Sequence, residues 1–358
     1  MTGDDVNRDD MNTEQLSDAA SPSDALAQSA VVMQGTGGIW QVRTDDGVVM
    51  DVSMRGKLKR ESGQSARGQD EFATRESMRR AGRPDAALRP LKLSVGDRVT
   101  ITRDSRESAW AIDAIHPRST QLSRRNPSGA RGERVVVANL DQVLVVFASA
   151  RPEPHARMLD RFLVIAEANG IAARVVVNKI ELTSEPAARA HFSEQLAAGY
   201  PFHFTSVVTG VGLDALRAQV EGRSSALTGP SGVGKSSLMN RLFPGLDLRT
   251  GEISESVNKG RHTTVGAVLH PLPGGGFLAD TPGLREVGLW SIDVGDLPAC
   301  FPEFRPLLSG CRFADCTHLV EPGCQIRDAL AAGAIGRGRY ESFQKLREEL
   351  VEGVSEQY

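Results

Sequence analysis

At 358 residues, with 40% hydrophobic and 24% charged positions, the chain holds enough material for two or three separately cored domains. A net charge of −3 argues against a protein given over wholly to RNA binding, and no run approaches the roughly eighteen uncharged apolar residues of a membrane span. The N-terminus lacks the basic-then-apolar layout of a secretory signal, so a cytoplasmic protein without a membrane partner is expected.

Residues 1–29 are rich in Asp, Ser, Ala and Gln, contain no aromatic residue and show no apolar period. Such a segment cannot offset its ordering entropy, so a disordered, mildly acidic tail is expected. From Val31 short apolar runs alternate with turns: Val31-Val32-Met33, Ile39-Trp40-Gln41-Val42, Val48-Val49-Met50-Asp51-Val52, Val99-Thr100-Ile101 and Trp110-Ala111-Ile112. That texture predicts a small antiparallel barrel over 30–117, with polar, Arg- and Gly-rich residues 61–90 as a long flexible insertion. A basic linker over 117–134 follows, carrying Arg118, Arg124, Arg125, Arg131 and Arg134.

The period then changes to strand–helix alternation. Strands are expected at 134–138, 143–147, 174–177, 202–205, 226–228, 266–270 and 277–279, with helices at 156–169 and 235–242 among them. This order predicts an α/β domain over 118–290, built on a parallel, mostly doubly wound sheet. Residues 291–358 lack strand signals and end in an amphipathic pattern over 340–352 that reads as a terminal helix.

Gly229-Pro230-Ser231-Gly232-Val233-Gly234-Lys235-Ser236, followed by Ser237, is a complete G-x-x-x-x-G-K-[ST] loop between an expected strand and an expected helix. Its glycines let backbone N–H groups turn around phosphate oxygens, and the helix start adds its positive end. Lys235 is placed to reach the β- and γ-phosphates and the Ser236 hydroxyl to reach Mg²⁺. Downstream, Phe277-Leu278-Ala279-Asp280 reads as a strand that delivers Asp280 to the Mg²⁺ shell, and Gly283 of Asp280-Thr281-Pro282-Gly283 can offer its N–H to the γ-phosphate. Between them, Gly260-Arg261-His262-Thr263-Thr264 occupies the switch interval, with Thr264 favoured over Thr263 as the Mg²⁺ ligand.

Asn178-Lys179-Ile180-Glu181 resembles the N-K-x-D element that reads guanine through a carboxylate. Glu181 keeps the acceptor but adds a methylene to the usual aspartate. This element precedes the phosphate loop, the reverse of the ordinary order, so the domain reads as circularly permuted. Thr205-Ser206-Val207 is the candidate for a supporting base loop.

Cys311-x₄-Cys316-x-His318-x₅-Cys324 supplies three thiolates and one imidazole, a set suited to one closed, structural Zn²⁺ site. Cys300 lies outside the pattern and reads as an ordinary buried thiol. Basic residues gather in the barrel insertion and linker, among them Arg55, Lys57, Lys59, Arg60, Arg79, Arg80, Arg83, Arg124 and Arg125. A barrel with a basic rim suits an oligonucleotide.

Taken in order, residues 178–181, 229–237, 260–264 and 280–283 and the cysteine cluster resemble the ribosome small-subunit-dependent GTPase A family, RsgA, also called YjeQ. The resemblance runs from Val31 to the terminal helix. It implies an N-terminal OB-fold barrel, a circularly permuted P-loop GTPase domain and a C-terminal helical zinc-binding domain whose ligands match Cys311, Cys316, His318 and Cys324. It further implies a monomeric GTP hydrolase acting late in assembly of the small (30S) ribosomal subunit, bound to its rRNA, stimulated by it and released after hydrolysis. Leu284 stands where a Ras-like enzyme has its water-orienting glutamine, so slow free turnover is expected, with His262 as the replacement once a partner orders the switch. Leu284 also keeps open an RNA-bound GTP/GDP sensor with negligible turnover, whereas residues 178–181 disfavour an ATP-using phosphotransferase.

Overall fold

The computed structural model describes residues 26–56, 58, 92–103, 109–125, 133–246, 267–280 and 292–355. The insertion over 61–90 and the basic residues Lys57, Lys59, Arg60, Arg79, Arg80 and Arg83 lie outside them.

Five strands, β1 (Leu26–Thr36), β2 (Ile39–Thr44), β3 (Val49–Met54), β4 (Arg98–Arg103) and β5 (Trp110–Ile115), close in the order β1-β2-β3-β5-β4. All pairs are antiparallel except β3 with β5, giving the partly Greek-key barrel of an OB fold. Alternate residues Ala30, Val32, Val42, Val52, Val99, Ile101 and Ile112 fill its interior, as the period of two requires. One expectation needs correcting here. Strand β1 starts at Leu26, inside the stretch expected to be tail, because exposed residues Leu26 to Ser29 are held by backbone pairing to β4 and not by apolar burial.

The expected linker also contains structure. Strand β6 (Gln121–Arg125) pairs with β7 (Glu133–Ala138) in a separate antiparallel ribbon, so residues 134–138 do not join the main sheet. Arg118 is not a solvated cation. Its guanidinium forks onto buried Asp97 at 2.7 and 2.9 Å. The barrel turn at Asp97 is then pinned to the next domain, with Ala138 N–H donating to the Val95 carbonyl and the Asn139 amide to the Gly96 carbonyl, each at 2.9 Å.

The main sheet has the order β10-β9-β8-β11-β13-β12. Its strands are β8 (Gln142–Ala148), β9 (Ala172–Asn178), β10 (Phe202–Phe204), β11 (Ser224–Thr228), β12 (Val268–Pro271) and β13 (Phe277–Asp280). All neighbours are parallel except the edge strand β12. Strand β8 is buried throughout, as a central parallel strand covered on both faces must be. Its Val143, Val145 and Phe147 pack toward α1 (Ala156–Ala168). Its Leu144 and Val146 pack toward α4 (Leu213–Val220) and α5 (Lys235–Leu242). Two short helices, α2 (Glu185–His191) and α3 (Ser193–Ala197), connect β9 to β10.

The C-terminal region carries α6 (Gln325–Ala331) and α7 (Arg337–Ser355), with no strand among its described residues. Phe301, Phe304 and Phe343 are fully buried, the first two stacked and Phe343 edge-on to both, contributing roughly 1.5–3 kcal/mol each. They extend the α1-side core, so this region is seated on the sheet domain. A buried ion network clamps the seat. Arg339 donates to Asp160 on α1 at 2.7 Å and to Glu303 at 2.7 and 3.2 Å, while Gln195 and Ser342 also donate to Asp160. Burial alone would weaken the Arg339 charge; Glu303 and Asp160 more than offset it.

Candidate functional site

After Thr228 the chain turns through residues 229–234 into α5. Gly229 has φ +131°, and a Cβ there would stand 2.0 Å from the Val146 carbonyl oxygen, so only glycine fits. Gly234, at φ +91°, is the N-cap of α5 and contributes no side chain to the first N–H groups, leaving a helix start suited to phosphate. The Lys235 ammonium arches back to the Gly229 and Pro230 carbonyls at 2.9 and 2.7 Å. Val233 is buried beneath, Ser231 and Gly232 are exposed, and Pro230, Ser236 and Ser237 are half-buried at the mouth.

Asn178 ends β9, one strand beyond β8 from the phosphate loop, and is buried. Its amide nitrogen donates to the Val233 carbonyl at 2.9 Å, and its amide oxygen faces the Thr205 hydroxyl at 3.4 Å. Lys179 turns the chain in the left-handed region, at φ 62° and ψ 35°, and its ammonium donates to the carbonyls of Arg151 at 2.7 Å and Gly232 at 2.6 Å. Ile180 then opens a single 3₁₀ turn, Ile180–Leu182, with its N–H on the Thr205 carbonyl at 3.1 Å; Glu181 is exposed within it. Thr205 and Ser206 are fully buried, and Ser206 closes its loop by accepting from Thr209 N–H at 3.0 Å. The two sequence signatures are thus in direct contact, and the proposed supporting loop touches both Asn178 and Ile180.

Asp280 ends β13, and the pairing of Ala226 with Ala279 brings it out at the same carboxyl edge, one strand from the phosphate loop. It is exposed there. His262, Thr263, Thr264, Gly283 and Leu284 lie outside the described residues.

In the C-terminal region, the ligand atoms of Cys311, Cys316, His318 and Cys324 lie within 4.8 Å of one another and can hold a metal ion. His318 Nδ1 is 3.6 Å from Cys311 Sγ and 3.5 Å from Cys324 Sγ. Burial holds the His318 imidazole below its ordinary value, favouring the neutral form a metal needs. Burial, ahead of the neighbouring Cys324 and Cys311, pushes the Cys316 thiol up to about 12, a cost that a bound cation reverses by favouring thiolate. Cys300 is an ordinary buried thiol, pushed up to about 11 by burial.

Sequence reasoning passed over several supporting residues. Glu321 is the organising acid of the metal loop, accepting from the N–H groups of Thr317, Leu319 and Val320 and from the Thr317 hydroxyl. Tyr340 of α7 donates to the His318 carbonyl at 2.6 Å. Glu321 sits inside the Cys/His spacing, where an acid between ligands was a usable signal; Tyr340 carries no local one.

The two sequence signatures, 178–181 and 229–236, brought together at one sheet edge in reversed chain order and behind an OB barrel, fit the class of circularly permuted GTPases. Residues 115–290 match the family described as RsgA GTPase. A curated relative from Gemmatimonas aurantiaca, a "Small ribosomal subunit biogenesis GTPase RsgA", is 62% identical over 324 residues, covering 90% of this chain and 97% of that protein. The solved structure of YjeQ from Thermotoga maritima matches with a TM-score of 0.70 at 30% identity, over 91% of this chain and 99% of that one. YloQ, solved as a circularly permuted GTPase, shares the fold at 22% identity with a TM-score of 0.65, over 91% of this chain and 96% of that one. The chain belongs to the RsgA GTPase family.

Proposed function

We propose that this chain hydrolyses GTP to GDP and phosphate during late maturation of the small ribosomal subunit, bound to that subunit's rRNA and activated by it. The carrying observation is the Asn178 amide, which ties the base-side loop at Thr205 to the phosphate loop at Val233. Residues 229–237 hold the phosphates, Lys235 neutralises them, and Glu181 accepts from the guanine edge. Ser236 and Asp280 would hold Mg²⁺, whose chemistry when bound is to neutralise charge on the β- and γ-oxygens. Sequence position assigns Thr264 and Gly283 to the switches and His262 to orienting the attacking water.

The Cys311, Cys316, His318 and Cys324 set we assign to one structural Zn²⁺. A tetrahedral Zn²⁺ with ordinary Zn–S and Zn–N bonds has S···N edges of about 3.5 Å, and the His318 edges are 3.5 and 3.6 Å. Four protein ligands leave no open position, so the ion fixes the loop and takes no part in hydrolysis. The division into a barrel over 26–117, a GTPase domain over 118–290 and a zinc-binding domain over 291–358, acting as a monomer in the cytoplasm, completes the reading.

Steady-state hydrolysis of GTP and ATP, with and without purified small subunits and at two salt concentrations, tests it. GTP turnover that rises with subunits, fades with salt and excludes ATP is expected. Tight GTP binding with no stimulation would instead favour a GTP/GDP sensor, the reading that Leu284 keeps open. His262→Ala should lose the stimulated turnover while keeping nucleotide binding; full stimulated turnover would remove His262 from its role.

A further inference from the structure

The loop that leaves β8 touches both halves of the nucleotide site, although neither signature contains it. Ser149, the first residue past the strand, is buried. Its N–H donates to the Asn178 carbonyl at 2.8 Å, and its hydroxyl donates to the Lys179 carbonyl at 2.6 Å. Two residues on, the Arg151 carbonyl accepts from Lys179 Nζ, which also reaches the Gly232 carbonyl of the phosphate loop. Lys179 is therefore held at its backbone and at its ammonium by one short loop. It sits in a left-handed conformation that lysine seldom adopts.

We propose that Ser149 is a positioning residue for guanine-nucleotide binding and specificity, acting through Lys179. The inference rests on the reading of residues 178–181 as the base-reading element. Without the hydroxyl, the Lys179 carbonyl keeps, among the described residues, the Leu182 N–H alone, at 2.9 Å. The left-handed turn is then free to relax, which swings the ammonium away from Gly232 and displaces Glu181, two residues further along. Both the phosphate cradle and the base edge depend on that one turn. The strut also explains why a loop remote in sequence from the phosphate loop packs against it, since Gly232 faces Pro152.

The test is a double-mutant cycle on the zinc-loaded full chain, reading dissociation constants for GDP, XDP and ADP by equilibrium titration. Ser149→Ala is expected to weaken GDP about five- to tenfold, the factor of one lost hydrogen bond, and to narrow its margin over XDP. The cycle pairs it with Lys179→Ala, in which removing the hydroxyl should cost less, because the ammonium's share is already gone while the carbonyl that the hydroxyl holds, and the Glu181 turn behind it, remain. Ser149→Thr keeps the hydroxyl and Ser149→Val removes it at matched volume, so the Thr-to-Val ratio carries the same information if alanine disturbs folding. The proposal is overturned if the Val and Thr variants bind GDP alike, or if the loss is undiminished in the Lys179→Ala background. A wild-type chain that binds ADP as well as GDP would overturn the guanine reading itself, and that result is read before any variant is made.

Discussion

The Asn178 side-chain amide donates to the Val233 carbonyl at 2.9 Å, joining a strand end to the phosphate loop across 55 positions of sequence. Both partners are buried, and the same amide faces Thr205 on a third segment. Strand β9 and the phosphate loop are not adjacent in the sheet, so this one side chain spans the width of β8 at the carboxyl edge.

Removing that side chain should separate the halves of the site. Asn178→Ala leaves the Val233 carbonyl and the Thr205 hydroxyl without this partner, each at about 1–3 kcal/mol. Affinity for GDP should fall by at least tenfold in equilibrium titration. A change of less than twofold would show that the bridge does not organise the site.

The Arg339 network should matter more to stability than to chemistry. Arg339→Met leaves Asp160 and Glu303 in a buried setting without their cation, which typically costs about 3–5 kcal/mol. Urea unfolding should show that loss, while GDP affinity stays within twofold because the network's partners, Gln195, Glu303, Arg339 and Ser342, include no residue of the phosphate loop. An unchanged unfolding midpoint would contradict the clamp.

Metal removal should loosen the C-terminal region first. The cluster ties together a segment built mainly of turns and short 3₁₀ helices, and Tyr340 links it to α7. Elemental analysis should give one zinc per chain. Chelation, or Cys316→Ser, should lower the thermal midpoint by several degrees and raise amide exchange over residues 311–355.

His203 supplies a pH dependence. Burial first, and the Arg174 guanidinium second, hold its imidazole below the ordinary 6.5, and its Nε2 is buried with no hydrogen-bond partner among the described residues. A folded value below the unfolded one means that protons favour the unfolded chain. Stability from neutral His203 is complete above 6.5 and declines as the pH falls below it. The thermal midpoint should drop between pH 7.5 and 5.5, and His203→Phe should flatten that slope.

Much of this was legible because local chemistry and fold agree. The phosphate loop needs Gly229 and Gly234 at set φ values, and helix α5 starts at Lys235 as the motif requires. Buried strands such as β8 announce themselves as unbroken apolar runs, and the Cys/His spacing carries its own geometry. Of the β6–β7 ribbon, β7 was legible as a strand at 134–138, but its partner β6 was not, since its Arg-rich polar residues read as a linker. The pairing that takes β7 out of the main sheet was missed with it. Nor was the start of β1 legible, held by pairing to a strand some seventy residues away. Ser149, Asp160 and Arg339 act through partners distant in sequence, and nothing in their neighbours marks them.

The most direct test of the central claim is the affinity of the zinc-loaded full chain for slowly hydrolysed analogues of GTP and of ATP, measured by calorimetry with Mg²⁺ present. A site that accepts hydrogen bonds from the guanine edge through Glu181 should prefer the GTP analogue by about 100-fold or more. Equal affinity for the two would contradict the assignment of residues 178–181 to the base, and with it the account of how this site is built.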